Sequence, residues 1–103
     1  RTSADGLRTG LSELTFGHLR AHLDAIVTVG EEEIAEAVAH LVGQSRLVVE
    51  PSGAVATAAR LFRAAELPAG RTVAVVTGGN VDPAVLTAAI GSTAAGTAEV
   101  VSG

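Results

Sequence analysis

The stretch VAVVTGGNVDP, residues 73–83, joins an apolar run to a pair of glycines and an acid–proline pair. The run that spans residues 72–77 is continuous and rich in β-branched side chains, which predicts a strand buried on both faces. Asp82 and Pro83 are typical of a helix start, because aspartate caps a helix and proline suits its first position. The stretch therefore predicts a strand that ends in the hydroxyl of Thr77, then a glycine turn and a helix.

Helical periodicity recurs upstream of this stretch. In residues 31–45, apolar side chains repeat on one face from Ile34 onward, which predicts an amphipathic helix. Three glutamates open that helix, where its dipole favours negative charge, and we interpret them as a solvated helix start rather than a metal cluster. Two further helices are expected to begin at Thr15 and Pro51.

The order of the predicted elements indicates the fold class. Residues 25–29, AIVTV, predict a second short strand, and residues 1–13 predict a loop or extended segment. The resulting order is helix, strand, helix, short apolar segment, helix, strand, helix. This alternation predicts an α/β fold, part of an open, mostly parallel sheet flanked by helices. Residues 92–103 lack a clear period, and we expect a poorly ordered tail there.

Composition limits the classes of function. The 103 residues carry a net charge of −4 without basic runs, which argues against nucleic acid or an anionic membrane as a partner. The chain has no cysteine, so a disulfide framework is excluded, and a cytoplasmic location is expected. It also has no methionine and no lysine, which suggests a piece of a longer polypeptide.

The end of the strongest predicted strand is a candidate binding edge. In open α/β sheets, ligands bind beyond the carboxyl ends of the strands, and Thr77 stands at such an end. Gly78 and Gly79 permit close approach of a ligand, and Asn80 adds an amide. The alternative is an ordinary helix-start turn capped by Asp82. The spacings of a dinucleotide fingerprint and of a P-loop are absent, and both interpretations stay open.

Glu50 allows two interpretations as well. Because it precedes Pro51, it is favoured as a cap of the following helix, but a carboxylate after the apolar segment could instead face a ligand beside Thr77. His18 and His22 share a helix face without a third ligand near them in sequence. No metal site is therefore predicted.

Five motifs with compatible spacing carry a resemblance to a known family. In chain order they are SADGLRT at 3–9, ELTF at 13–16, VTVGEEEIAEA at 27–37, LVVEPSGAVA at 47–56 and VAVVTGGNVD at 73–82. Together they resemble the fold type II pyridoxal phosphate enzymes, specifically the threonine/serine dehydratase and serine racemase group. The resemblance covers residues 3 to about 86. It implies that residues 1–91 are the C-terminal part of the large, cofactor-binding domain.

The resemblance also implies roles for single residues. Thr77 matches the position whose hydroxyl hydrogen-bonds the pyridine nitrogen of the cofactor. A neutral hydroxyl does not keep that nitrogen protonated, as a carboxylate would, so the ring is a milder electron sink. Glu50 matches a glutamate near the ring, and Gly6 matches a glycine whose backbone lines the site. The turn after the pyridine contact is matched by Gly78, Gly79 and Asn80.

The resemblance implies a function that this chain cannot perform alone. The Schiff-base lysine, the glycine-rich phosphate loop and a carboxylate-lined cation segment of the family all precede the matched stretch. The expected function is therefore one wall of a dehydratase that converts L-threonine or L-serine to a 2-oxo acid and ammonia. The expected partners are the remainder of the enzyme, the amino-acid substrate and further copies in a homo-oligomer. The alternatives are a serine or hydroxyaspartate racemase and a non-catalytic α/β interaction domain.

Overall fold

The structure, a computed structural model, describes residues 2–7 and 10–91. The predicted tail at 92–103 lies outside the described residues. None of the described helices is both long enough and apolar enough to cross a membrane. The helices are α1 (Glu13–His22), α2 (Glu31–Ser45), α3 (Val55–Phe62) and α4, which covers residues 83–91. Short 3-10 turns lie at Asp5–Leu7, Pro51–Ala54 and Ala64–Glu66.

The prediction for α2 is confirmed at both ends. Gly30 precedes the helix with extended backbone, and its N–H donates to Glu33 Oε1 at 2.7 Å. This bond satisfies one of the amides near the helix start, as in a capping box. The helix ends at Arg46, which adopts the left-handed conformation with φ of 56°. Arg46 Nη1 also donates to the carbonyl oxygen of Gly43 at 2.7 Å, so a side chain meets one of the last carbonyls.

The core lies between α2, α3 and the Pro51–Ala54 turn. Three of its alanines have no exposed surface, and such small side chains let the backbones approach closely. The largest fully buried side chains are Val38 and Val49. Ala4 is also buried, at 1% exposure. The core residues are Ile34, Ala37, Val38, Leu41, Val49, Ala54, Ala58 and Ala89.

The helix predicted from Pro51 is divided in the structure. A 3-10 turn spans Pro51–Ala54 and α3 follows from Val55 to Phe62. Ala58 packs in the core, whereas Leu61 is 40% exposed, so burial decreases toward the end of α3.

The helix α1 has an apolar face that is largely exposed in the described part of the chain. It begins at Glu13, two residues before the predicted start, because Ser12 Oγ accepts the N–H of Thr15 at 3.1 Å and caps the helix. Among the described residues of α1 none is buried, and Phe16 and Leu23 are 46% and 47% exposed. This helix therefore contributes little apolar burial to the chain.

The predicted strands are not confirmed by this structure. The described residues contain no strand, and both 25–29 and 72–77 are irregular. Ile26, Val73 and Val75 are 80%, 85% and 66% exposed. The β-branched composition is typical of a buried strand, but a strand also needs a neighbouring strand for its backbone groups. The described chain supplies no such neighbour, so the secondary structure that it shows is helical and the predicted sheet stays a prediction.

The last helix follows its prediction. Asp82 Oδ1 accepts the N–H of Ala84 at 2.8 Å, so aspartate caps α4 as expected. Ala89 is buried and Leu86 packs against the core while half-buried, whereas Ile90 is 38% exposed. The apolar side chains of α4 are therefore only partly covered.

Candidate functional site

The Pro51–Ala54 turn brings two distant segments together through backbone hydrogen bonds. The N–H of Glu50 donates to the carbonyl oxygen of Gly78 at 3.1 Å. The N–H of Gly53 donates to the carbonyl oxygen of Glu50 at 2.9 Å and closes the turn. The N–H of Thr77 donates weakly to the carbonyl oxygen of Gly53 at 3.5 Å. Glu50 and the Thr77–Gly78 segment therefore lie side by side, as the binding-edge hypothesis requires.

Gly53 makes this approach possible. A Cβ atom on Gly53 would overlap the carbonyl oxygen of Thr77, and it would lie 2.8 Å from Val49 Cγ1. Only glycine leaves room for two backbones at that separation. Gly53 was not predicted as a site residue from the sequence, although it stands in the motif LVVEPSGAVA at 47–56. The motif was the available signal, because a glycine inside the start of a helix has low helix propensity and needs another reason.

The carboxylate of Glu50 lies next to Gly78 and does not cap the turn. Its side chain makes no capping hydrogen bond, so the favoured cap interpretation is wrong. A Cβ on Gly78 would overlap the Glu50 carboxylate, and Gly78 has a φ of +71°, in the region that favours glycine. Gly79 is also close to this strip, since its Cβ would lie 3.1 Å from the carbonyl oxygen of Val48. The two glycines thus leave a bare backbone beside a half-buried carboxylate.

Gly6 meets the same turn from the N-terminal side. Its N–H donates to Ser52 Oγ at 2.8 Å, across 46 positions of sequence. Ala4 fills a buried position in the same loop, and the N–H of Leu7 closes the loop by donating to the carbonyl oxygen of Ala4 at 3.0 Å. No role is predicted for Ser52 from the sequence. In the structure its oxygen is an acceptor for the Gly6 amide.

Glu31 anchors the beginning of that loop. Its Oε2 accepts the hydroxyl of Ser3 at 2.6 Å and the N–H of Ser3 at 3.0 Å. The hydroxyl of Ser3, then that of Thr2, and then the Ser3 amide lower the pKa of Glu31 by favouring the charged carboxylate. The interpretation of the three glutamates as a solvated helix start is therefore incomplete.

The structure gathers most of the predicted site residues around the turn. Thr77, Gly78 and Gly79 are exposed there, and Glu50 is half-buried beside them. Asn80 is exposed as well, and within the described part of the chain no hydrogen bond joins it to the turn. The structure therefore brings Glu50 to the Thr77 segment and Gly6 to Ser52 of the same turn, while Asn80 makes no such hydrogen bond among the described residues.

The histidines of α1 are not joined to other metal-ligating side chains. The rings of His18 and His22 are stacked with centroids 6.3 Å apart. In residues 2–7 and 10–91, no group of three or more histidine, cysteine, aspartate or glutamate side chains is arranged to hold a metal ion. The expectation of a site without metal stays a prediction.

Comparisons with known proteins agree on one family. A family model described as pyridoxal-phosphate dependent enzyme matches residues 1–78. An L-threonine ammonia-lyase of Geobacter sulfurreducens is 43% identical over 84 residues, which are 79% of this chain and 20% of that protein. A serine racemase of Schizosaccharomyces pombe is 34% identical over 83 residues, which are 80% of this chain and 26% of that protein.

A solved structure is similar in fold as well as in sequence. The crystal structure of T.th. threonine deaminase matches with a TM-score of 0.71 and 48% identity, over 80% of this chain and 30% of that one. The chain therefore spans 20–30% of the length of the relatives named here.

Proposed function

The chain belongs to the family of pyridoxal-phosphate dependent enzymes, and from that membership we propose that it forms one wall of the active site of a threonine or serine ammonia-lyase. The complete enzyme removes water from L-threonine or L-serine. Hydrolysis of the released enamine or imine then gives a 2-oxo acid and ammonia. This chain contributes the side of the site that holds the pyridine ring.

The residues at the wall fit a flat, polar ring. Thr77 is exposed and offers a hydroxyl, which can donate or accept one hydrogen bond at a ring nitrogen. Gly78 and Gly79 carry no side chains, so a planar group can approach the backbone beside Thr77. Glu50 supplies a carboxylate next to that bare strip.

Thr77 has a direct part in the proposed chemistry, and Asn80 supports it. Bound pyridoxal phosphate supplies an electron sink for the electron pair that remains when the Cα–H bond of the substrate breaks. Thr77 orients the ring nitrogen by a hydrogen bond and does not donate a full proton to it. Because a neutral hydroxyl carries no negative charge to stabilise a protonated ring nitrogen, as a carboxylate would, the nitrogen would stay neutral and the sink would be mild. A mild sink favours rapid loss of the β-hydroxyl. Asn80 completes the turn behind Thr77.

The rest of the site comes from the remainder of the enzyme. The chain contains no lysine, so the lysine and the phosphate-binding loop are supplied by that remainder. The exposed Val73 and Val75 are covered there by neighbouring strands, which complete an open, mostly parallel sheet. We extend the proposal to residues 1–91 as the C-terminal part of the large domain, to a homo-oligomer and to a cytoplasmic location.

One observation carries the proposal. The motifs LVVEPSGAVA at 47–56 and VAVVTGGNVD at 73–82 are far apart in sequence. Even so, Glu50 and Gly78 are joined by a backbone hydrogen bond and by direct packing. A third motif, ADG, meets the same turn through Gly6 and Ser52. Three motifs that converge on one surface support a shared site more strongly than any of them alone.

A racemase on the same scaffold is the second candidate. The 34% identity to the serine racemase of S. pombe supports it. The threonine ammonia-lyase of G. sulfurreducens has the higher identity, 43%, and we therefore favour elimination from threonine. A non-catalytic interaction domain is not supported by membership in an enzyme family.

The test uses the complete enzyme, in which this chain is joined to the polypeptide that carries the lysine. The purified enzyme should show the visible absorbance of bound pyridoxal phosphate and should form 2-oxo acid and ammonia from L-threonine or L-serine. Chiral analysis of the remaining amino acid separates elimination from racemisation. An enzyme that binds no pyridoxal phosphate and forms neither product would contradict both candidates.

A further inference from the structure

We propose that Ser52 is a positioning residue that holds the loop of residues 2–7 against the wall formed by Glu50, Thr77 and Gly78. The inference rests on the proposed function, because positioning matters only where the wall meets the cofactor. Ser52 Oγ accepts the N–H of Gly6 at 2.8 Å, which is a normal hydrogen-bond distance.

The backbone that carries Ser52 is held in place from both sides. Ser52 is the second residue of the Pro51–Ala54 turn, and Ala54 at the end of the turn is fully buried. The next residue, Gly53, touches the backbone of Thr77 so closely that no side chain fits between them. Glu50, just before the turn, is bonded to Gly78. The hydroxyl therefore projects from a turn whose place relative to Thr77 is fixed.

The hydrogen bond from Gly6 to Ser52 holds the C-terminal end of the loop of residues 2–7. Its near end is already held, because Ser3 donates twice to Glu31 and Ala4 is buried. Gly6 lies beyond these anchors and is exposed. Without the bond to Ser52, the loop can pivot about Ala4 and move the Gly6 backbone away from the turn.

The packing at Gly6 is as tight as the hydrogen bond suggests. A Cβ atom on Gly6 would lie 2.9 Å from Ser52 Oγ and 3.2 Å from Ser52 Cβ. Such an atom would push the loop off the turn. Both the amide and the missing side chain of Gly6 are therefore matched to Ser52.

The test compares four variants of the complete enzyme: Ser52→Ala, Ser52→Thr, Gly6→Ala and the double variant Gly6→Ala with Ser52→Ala. Ser45→Ala is the matched control, since Ser45 is an exposed serine at the end of α2 opposite Glu31. Two quantities are measured. The first is hydrogen exchange of the peptide that contains Gly6, and the second is the Kd for pyridoxal phosphate from a spectral titration of the apoenzyme.

Ser52→Ala should speed exchange of the Gly6 amide by about tenfold, the effect of one lost hydrogen bond. The Kd for pyridoxal phosphate should rise as well, measurably and by up to a similar factor. Ser52→Thr keeps the hydroxyl and should restore most of both losses, and Ser45→Ala should change neither.

The double variant tests the pairwise contact. Gly6→Ala alone creates the 2.9 Å contact with Ser52 Oγ, and removal of that oxygen leaves 3.2 Å to Ser52 Cβ as the nearest approach. The combined loss in the double variant should therefore be smaller than the sum of the single losses. Strict additivity would contradict the contact.

Two results would overturn the inference. The first is unchanged Gly6 exchange in Ser52→Ala, and the second is faster exchange with an unchanged Kd. A wild-type enzyme that binds no pyridoxal phosphate would overturn the proposed function instead, and the inference with it. That outcome is seen before any variant is made, so the two failures are distinguishable.

Discussion

The carbonyl oxygen of Thr77 occupies the space that a side chain on Gly53 would need. This contact joins the turn before α3 to the segment that ends in TGGN. It involves two backbones, so no rearrangement of a side chain can relieve an added atom there.

Gly53→Ala should therefore be strongly destabilising. The overlap with the Thr77 carbonyl must be relieved by backbone movement, at a cost of about 1–3 kcal/mol or more in the free energy of unfolding. Urea unfolding of the complete enzyme measures the change.

The control for that variant is Gly43→Ala. Gly43 lies in α2, and among the described residues no atom outside its own stretch of the helix lies within 4 Å of the place that a Cβ would take. Alanine should therefore stabilise the helix by about 0.5–1 kcal/mol. If both variants change the free energy of unfolding in the same direction, the loss in Gly53→Ala is not assigned to the contact with the Thr77 carbonyl.

Gly78→Ala tests the second close contact. The added Cβ would overlap the Glu50 carboxylate at a residue with φ of +71°, so both sterics and backbone strain oppose it. We expect lower stability and weaker binding of pyridoxal phosphate. The further change of Glu50→Ala in the same protein should recover part of the stability, because the clashing side chain is gone. No recovery would mean that the backbone strain alone accounts for the loss.

Thr77→Asp should change the cofactor as well as the rate. A carboxylate beside the ring nitrogen favours its protonation, so the visible absorbance should shift, and elimination should slow by about tenfold or more, equivalent to 1.4 kcal/mol of activation free energy. Thr77→Ser keeps a hydroxyl and serves as the control. Unchanged turnover and an unchanged spectrum in Thr77→Asp would refute the pyridine contact.

Glu33 should make the stability depend on acid pH. The amide of Gly30, and then the guanidinium of Arg63, lower the pKa of Glu33. Arg63 donates to Glu33 Oε1 through Nη2 at 2.9 Å and through Nε at 3.2 Å, which ties the end of α3 to the start of α2. Because the pKa is lower in the folded state, the stabilisation is present above the ordinary glutamate pKa of about 4.3 and is lost as the pH falls through the folded value.

The measurement compares the melting temperatures of the wild type and Glu33→Gln between pH 7 and pH 3. The difference should be largest at neutral pH and should shrink in acid. Glu32→Gln is the control, since it removes a similar charge from an exposed position in the same helical turn. A difference that is independent of pH would contradict the assignment to Glu33.

Val73 and Val75 test the proposed sheet. Replacement of both by glutamate should prevent this chain from joining the remainder of the enzyme, because charges would enter a strand buried on both faces. Replacement of both by threonine keeps the β-branched shape and should still allow assembly. Gel filtration of this chain, mixed with a separate polypeptide that carries the remainder of the enzyme, distinguishes the two pairs of substitutions. Normal assembly of the glutamate pair would contradict the sheet.

The helices could be predicted because their determinants are local. The start of α2 depends on neighbouring glutamates, and the cap of α4 depends on Asp82 two residues before the amide that it accepts. The predicted strands are not confirmed, for the opposite reason. The sequence of residues 72–77 describes a buried environment, but that environment requires neighbouring strands that the described chain does not contain.

The site shows the same division. Thr77 and the two glycines could be selected from their position after an apolar run. Of the two interpretations of Glu50, the one favoured from its position before Pro51 was the cap, because the approach of Gly78 depends on a contact far along the chain. Gly53 and Ser52 were missed for that reason too, since each acts on a residue outside its own segment.

The methyl groups of Ala37, Ala54 and Ala58 stand fully buried where α2, α3 and the Pro51–Ala54 turn meet. A methyl group on Cα has no alternative rotamer, so it works as a rigid spacer between the main chains. Side-chain hopping, which lets a leucine-rich core absorb small displacements, is not available at these points. The height of the turn above α2 is consequently set by bond lengths and atomic radii. Exposed positions of α2 can change without moving it.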